Sequence, residues 1–193
     1  MNNHLIILFI LMFIINPICK LYLFEMGKKI NNTKLHDILH YDNINIKKLS
    51  ILSDIFALII AMYLFYNYLQ NKLDKNDTKL FIEYVIILII IKIVLSSVTI
   101  LPDASQNCIK NIKNKFNLIF LGGCHDLIFS LHMAMCLLFL YFLKKNSIIN
   151  VQTCLFISII QGLLIILSHN HYTVDVLLAY IVVPFVINGK YFI

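Results

Sequence analysis

The chain has 193 residues, 60% of them hydrophobic and only 13% charged, and its mean hydropathy is +0.84. That balance excludes a soluble domain of this length and points to a bilayer as the solvent. The formal charge of +6 comes wholly from lysine, for the chain contains no arginine and no tryptophan. Its lysines are scattered among short loops, with no basic run of the kind a nucleic-acid surface needs.

Six apolar stretches follow one another, at about 4–24, 50–69, 80–101, 122–143, 149–168 and 172–190. Each approaches the roughly 20 residues that cross a hydrocarbon core of about 30 Å. No basic residue precedes the first, and Asn16-Pro17-Ile18-Cys19 lacks a small-x-small cleavage pattern, so it reads as a retained span rather than a signal peptide. Pro184 and Asn188 interrupt the last. The expected fold is all-α, a polytopic membrane protein built as a bundle of six transmembrane helices, with no internal repeat. Strict alternation puts the polar stretches 25–49, 102–121 and 169–171 on one side and both termini on the other. Lysines lie on both sides, so the positive-inside rule gives no support for an outward-facing site. Cys19, Cys108, Cys124, Cys136 and Cys154 show no C-x-x-C spacing, which indicates neither a zinc site nor a disulfide framework; they read as packing residues.

Two polar constellations stand out against this background. In "SHNHYTVDVLLAY", residues 168–180, a helix running from about 171 would put His171 and Asp175 one turn apart on one face. A carboxylate there can hold one ring proton and leave the other nitrogen free as nucleophile or base. The plainer reading is an interfacial histidine with a helical ion-pair partner, although ionisable groups at membrane depth favour function.

In "GGCHDLIFSLHMAM", residues 122–135, Gly122-Gly123 break the preceding loop and a helix is expected to begin near Cys124. Asp126, Ser130 and His132 then fall in its first turns, where free backbone N–H groups and a positive dipole cradle phosphate. Ser130 and His132 are about 200° apart on a regular helix, which argues against a serine hydrolase dyad. A second histidine opposite His171 suits phosphoryl chemistry, one attacking phosphorus and the other serving the leaving alkoxide. Helix capping with a buried polar contact is the competing explanation.

Together the two segments resemble a known family. C-H-D-L-I-F-S-L-H is similar to the third signature of the sphingomyelin synthase family, and H-Y-T-V-D-V-L-L-A-Y matches its fourth. The plant and protozoan inositol phosphorylceramide synthases look closer still around these segments. K-I-V-L-S-S-V-T-I-L-P, residues 92–102, is similar to the family's R-x6-T-x-L-P segment, with Cys108 near its following cysteine, and L-H-D-I-L-H, residues 35–40, resembles more weakly the loop before the second span. The resemblance covers roughly residues 35–188.

This resemblance implies an enzyme of the type 2 phosphatidic acid phosphatase superfamily, with residues 1–34 as first span and loop and 35–193 as the catalytic domain. It implies transfer of a phosphocholine, phosphoethanolamine or phosphoinositol headgroup from a glycerophospholipid donor to a ceramide acceptor, releasing diacylglycerol. His132, His171 and Asp175 would form the catalytic triad, and Lys92, Asp126 and Ser130 would bind substrate. Neither a metal nor another cofactor is expected, and the location would be an endomembrane, such as Golgi or ER, or the plasma membrane. Lys92 stands where the family has arginine; a mid-span lysine costs about 2.5–3.5 kcal/mol, so it should face a polar cavity and hold phosphate as a point charge. His125, Leu131 and Met133 also depart from the sphingomyelin branch and leave the headgroup open. A lipid phosphate phosphatase would use the same histidines, but its K-x6-R-P signature cannot exist here without arginine. A non-catalytic membrane scaffold or transporter would not need both signatures.

Overall fold

Six helices, and no strand among the described residues, answer to the six apolar stretches. The computed structural model describes residues 3–27, 35–37, 39–40, 46–102, 104 and 128–189. The helices are α1 (Asn3–Gly27), α2 (Ile46–Leu69), α3 (Lys75–Val98), α4 (Leu131–Lys145), α5 (Val151–Leu167) and α6 (Thr173–Asn188). The chain is an all-α membrane bundle: with no water at membrane depth, each segment must satisfy its own backbone, which a helix does. Three helices hold segments long and apolar enough to cross, at Ile6–Gly27, Lys48–Leu69 and Asn76–Val98. The other three run 15, 17 and 16 residues. At about 1.5 Å per residue they fall short of the hydrocarbon thickness and depend on the segments that flank them.

The short helix α4 packs against α2, α3, α5 and α6, and α1 lies outside against α3. Leu88, Phe129, Met133, Ala134, Leu138 and Ala179 are sealed from solvent in the core. Long apolar side chains on α1 and α2, among them Ile7, Ile10, Ile14, Leu58, Met62 and Phe65, point outward instead. In water such a surface would aggregate; in a bilayer it meets acyl chains. Gly162 lets α5 approach closely, for a Cβ there would lie 3.4 Å from Val176 Cγ1 and 3.6 Å from the Tyr180 hydroxyl. Small residues serve helix contacts in membranes in this way.

Polar side chains finish the helix ends. Asp74 caps α3, Ser130 caps α4 and Asn150 caps α5, each accepting from a backbone N–H two or three residues on. α2, α4 and α5 end in Schellman turns whose left-handed residue is not glycine: Asn71 (φ 54°), Ser147 (φ 57°) and His169 (φ 54°). After α5, His169 N–H donates to Ile166 O at 2.9 Å and Asn170 N–H to Ile165 O at 3.3 Å, which turns the chain sharply toward α6.

One expectation is corrected. α4 begins at Leu131, not near Cys124, and Ser130 precedes the helix. The reason lies on α3, where Ser96 Oγ donates to Ile128 O at 2.8 Å and Lys92 Nζ to Phe129 O at 3.2 Å. Those carbonyls are satisfied by a neighbouring helix, so irregular backbone is tolerated at depth.

Candidate active site

Described parts of the polar stretches, at Leu35, His40, Pro102 and residues 169–172, meet at one end of the bundle. The Tyr172 hydroxyl donates to Pro102 O at 3.2 Å and accepts from Leu35 N–H at 3.4 Å. Ser50 Oγ donates to Asn170 Oδ1 at 3.1 Å. Segments near 35–40, 101–104 and 168–173 therefore close over the N-terminus of α6.

His171 lies just before α6, whose N-cap is Tyr172, so it is not on the helix face that the i, i+4 spacing suggested. The pair nevertheless forms. Asp175, the third helical residue, folds back so that its Oδ2 accepts from Tyr172 N–H at 3.0 Å and stands 3.8 Å from His171 Nδ1. His171 is buried and Asp175 wholly so, and Asp175 Oδ1 has no hydrogen-bond partner among the described residues. A buried carboxylate oxygen left without a donor is costly, and 3.8 Å is too long for a hydrogen bond to the imidazole. With Nδ1 turned to the carboxylate, Nε2 is the nitrogen available for chemistry.

His132 sits in the first turn of α4, about half exposed, with Nε2 3.5 Å from Asp54 Oδ1 on α2. The two histidine segments are joined through the backbone, where Ser130 N–H donates to Asp175 O at 3.2 Å. Ser130 itself is sealed from solvent, and its Oγ accepts from Met133 N–H at 3.3 Å as the cap of α4. Lys92 is buried behind this junction, its Nζ donating to Phe129 O. Asp126, with Gly122, Gly123, Cys124 and His125, lies outside the described residues, as does Cys108. No cluster of three or more metal-ligating side chains occurs among the described residues.

Three neighbours were not singled out from sequence. Asp54 pairs with His132; Asp37 accepts from Thr173; His40 donates from Nε2 to His171 O at 3.1 Å and stacks on His169 with centroids 4.2 Å apart. The sequence sign of Asp37 and His40 was the faint resemblance of L-H-D-I-L-H, and Asp54 had none, since contacts between distant segments leave no periodicity. Burial tends to raise the Asp37 carboxyl, but hydrogen bonds from the Thr173 side chain and backbone and from Leu39 N–H outweigh it and hold it below 3.8. At the far end, an apolar groove of about 340 Å³ runs past Phe65, Phe81, Phe139 and Phe142 to Asp77, which Lys145 and Asn146 engage.

Residues 123–191 match the family model described as PAP2 superfamily C-terminal. Over 70 residues the chain is 44% identical to two rice proteins named phosphatidylinositol:ceramide inositolphosphotransferase, from Oryza sativa subsp. indica and subsp. japonica. That match covers 35% of this chain and 21% of each relative, so the chain spans only about a fifth of those curated proteins. The stretch that the family model matches holds His132, His171 and Asp175 together with α4, α5 and α6. The likeness to the sphingomyelin synthase and inositol phosphorylceramide synthase family, within the PAP2 superfamily, therefore stands for the C-terminal third of the chain.

Proposed function

We propose that this chain is an integral-membrane sphingolipid synthase, a phosphotransferase that moves a phospho-headgroup from a glycerophospholipid to the primary hydroxyl of ceramide. The observation that carries this is the junction at Ser130 N–H and Asp175 O, which ties the His132 segment to the His171–Asp175 pair across two helices. His171 Nε2 attacks phosphorus, the bond from phosphorus to the diacylglycerol oxygen breaks, and His132 supplies the proton to that oxygen. Ceramide then gives its hydroxyl proton to His132 and its oxygen attacks the phosphohistidine, which restores both histidines. Asp175 steadies the positive imidazole, and Asp54 holds His132 in orientation. In this reading Lys92 serves the phosphate through its charge behind the start of α4, and Asp126 and Ser130 are assigned to substrate binding.

The names of the rice proteins make phosphoinositol the first headgroup to test. Residues 35–193 form the catalytic unit, with α1 as a preceding span, and the working membrane is an endomembrane or the plasma membrane. The decisive assay is the purified full chain in nanodiscs with labelled phosphatidylinositol, with and without ceramide. Inositol phosphorylceramide and diacylglycerol should form in equal amounts and only when ceramide is present. Diacylglycerol formed equally well without ceramide, with free inositol phosphate beside it, would make the chain a hydrolase and end the transferase reading.

A further inference from the structure

Asp37 lies between α1 and α2, and no step above uses it. Its Oδ2 accepts from Thr173 N–H at 2.6 Å, and its Oδ1 accepts from Thr173 Oγ1 at 2.6 Å and from Leu39 N–H at 3.1 Å. Thr173 is the first residue of α6, and Tyr172 at the N-cap offers no capping side chain. From 136 residues away, Asp37 thus accepts from the N–H of the first helical residue, one of the donors that a helix start leaves without an intrahelical partner. Its negative charge also lies at the positive end of the helix dipole.

His40 extends the same contact. Its Nε2 donates to His171 O at 3.1 Å and stands 3.9 Å from Asp37 Oδ2, and its ring stacks on His169 and Tyr172. Both side chains are more than nine-tenths buried, at 1% exposure for His40 and 7% for Asp37. Residues 171, 172 and 173 are consequently each held by one of His40, Leu35 and Asp37. The turn they follow passes through His169 in the left-handed region, which a side chain with a Cβ occupies at a cost.

We propose that Asp37, with His40, is a positioning residue for headgroup transfer: it straps the 35–40 segment across the start of α6 and fixes the His171 backbone so that Nδ1 faces Asp175 and Nε2 faces phosphorus. This rests on the assignment of His171 as nucleophile. Asp37 touches neither lipid nor phosphorus; it acts through the backbone of residues 171–173. Asp37 and His40, which lie between the first two helices, thereby become part of the catalytic unit.

The test uses the full chain in nanodiscs with phosphatidylinositol and ceramide, read by kcat, KM and amide hydrogen exchange. With His171→Ala inactive, Asp37→Ala should lose at least tenfold in kcat with KM within about twofold. Exchange across residues 168–176 should quicken at least tenfold while the other helices keep their protection. Asp37→Asn keeps an acceptor for Thr173 N–H and should recover part of kcat. Should Asp37→Ala fail to accumulate, Thr173→Val removes one of the two bonds and gives a milder test, with a severalfold fall in kcat expected. Its effect should shrink when combined with Asp37→Asn, because both act on one contact. Wild-type kcat in Asp37→Ala beside an inactive His171→Ala would overturn the positioning role alone, as would unchanged exchange at 168–176. Activity in His171→Ala would overturn the nucleophile assignment and the strap's purpose with it.

Discussion

Replacing Asp175 by asparagine separates its two tasks. One oxygen accepts from Tyr172 N–H at 3.0 Å, and an asparagine oxygen can keep that bond, so the start of α6 should survive. The charge facing His171 Nδ1 at 3.8 Å is lost. Two unit charges about 4 Å apart interact by about 4 kcal/mol at an effective dielectric of 20. That stabilisation matters when the histidine is positive, as it becomes on attacking phosphorus. At 1.36 kcal/mol per decade, the expected fall in kcat is about a thousandfold. Melting temperature should stay within a few degrees of wild type. Asp175→Ala also removes the acceptor for Tyr172 N–H, and should add a stability loss of about 1 kcal/mol. Headgroup transfer in nanodiscs gives kcat, and thermal unfolding followed by tyrosine fluorescence gives stability. An Asp175→Asn enzyme within threefold of wild type would refute the electrostatic argument. A large stability loss in the same variant would show that the asparagine failed to keep the backbone contact.

Lys92→Met should abolish turnover and also lower stability by about 1–3 kcal/mol, because Phe129 O loses a buried donor, while Lys92→Arg should retain activity; normal kinetics in the Met variant would leave the lysine a purely structural role. Gly162→Leu should reduce accumulation of folded protein, measured by monodisperse yield after detergent extraction, since a Cβ already meets Val176 Cγ1 at 3.4 Å and a larger side chain must part α5 from α6. For Asp37 the folded carboxyl lies below its ordinary 3.8, so its contribution is complete above that value and is lost as pH falls through the lower, folded one. Exchange at residues 168–176, corrected for intrinsic rates, should thus be level from neutral pH down to about 4 and then rise, and the rise should vanish in Asp37→Asn.

The apolar stretches determined the order and type of the described helices, because burial of backbone polar groups in lipid is a local demand that each stretch of about 20 residues must meet by itself. The residue types at 132, 171 and 175 likewise suggested, before any fold was known, the phosphoryl chemistry proposed above. Where the helices begin was another matter. α4 starts seven residues later than Gly-Gly suggested because Ser96 and Lys92 on α3 take the carbonyls of residues 128 and 129. His171 leaves the helix it was placed on because the Schellman turn at His169 and the cap at Tyr172 set α6 to begin at Thr173. Asp54 and Asp37 gain their meaning only from a histidine and a threonine brought to them by packing. Hydropathy and spacing report on neighbours within a turn or two; a hydrogen bond between residues 136 apart is decided by the tertiary structure, where the loops that alternation sends to one end compete for the same few unsatisfied groups.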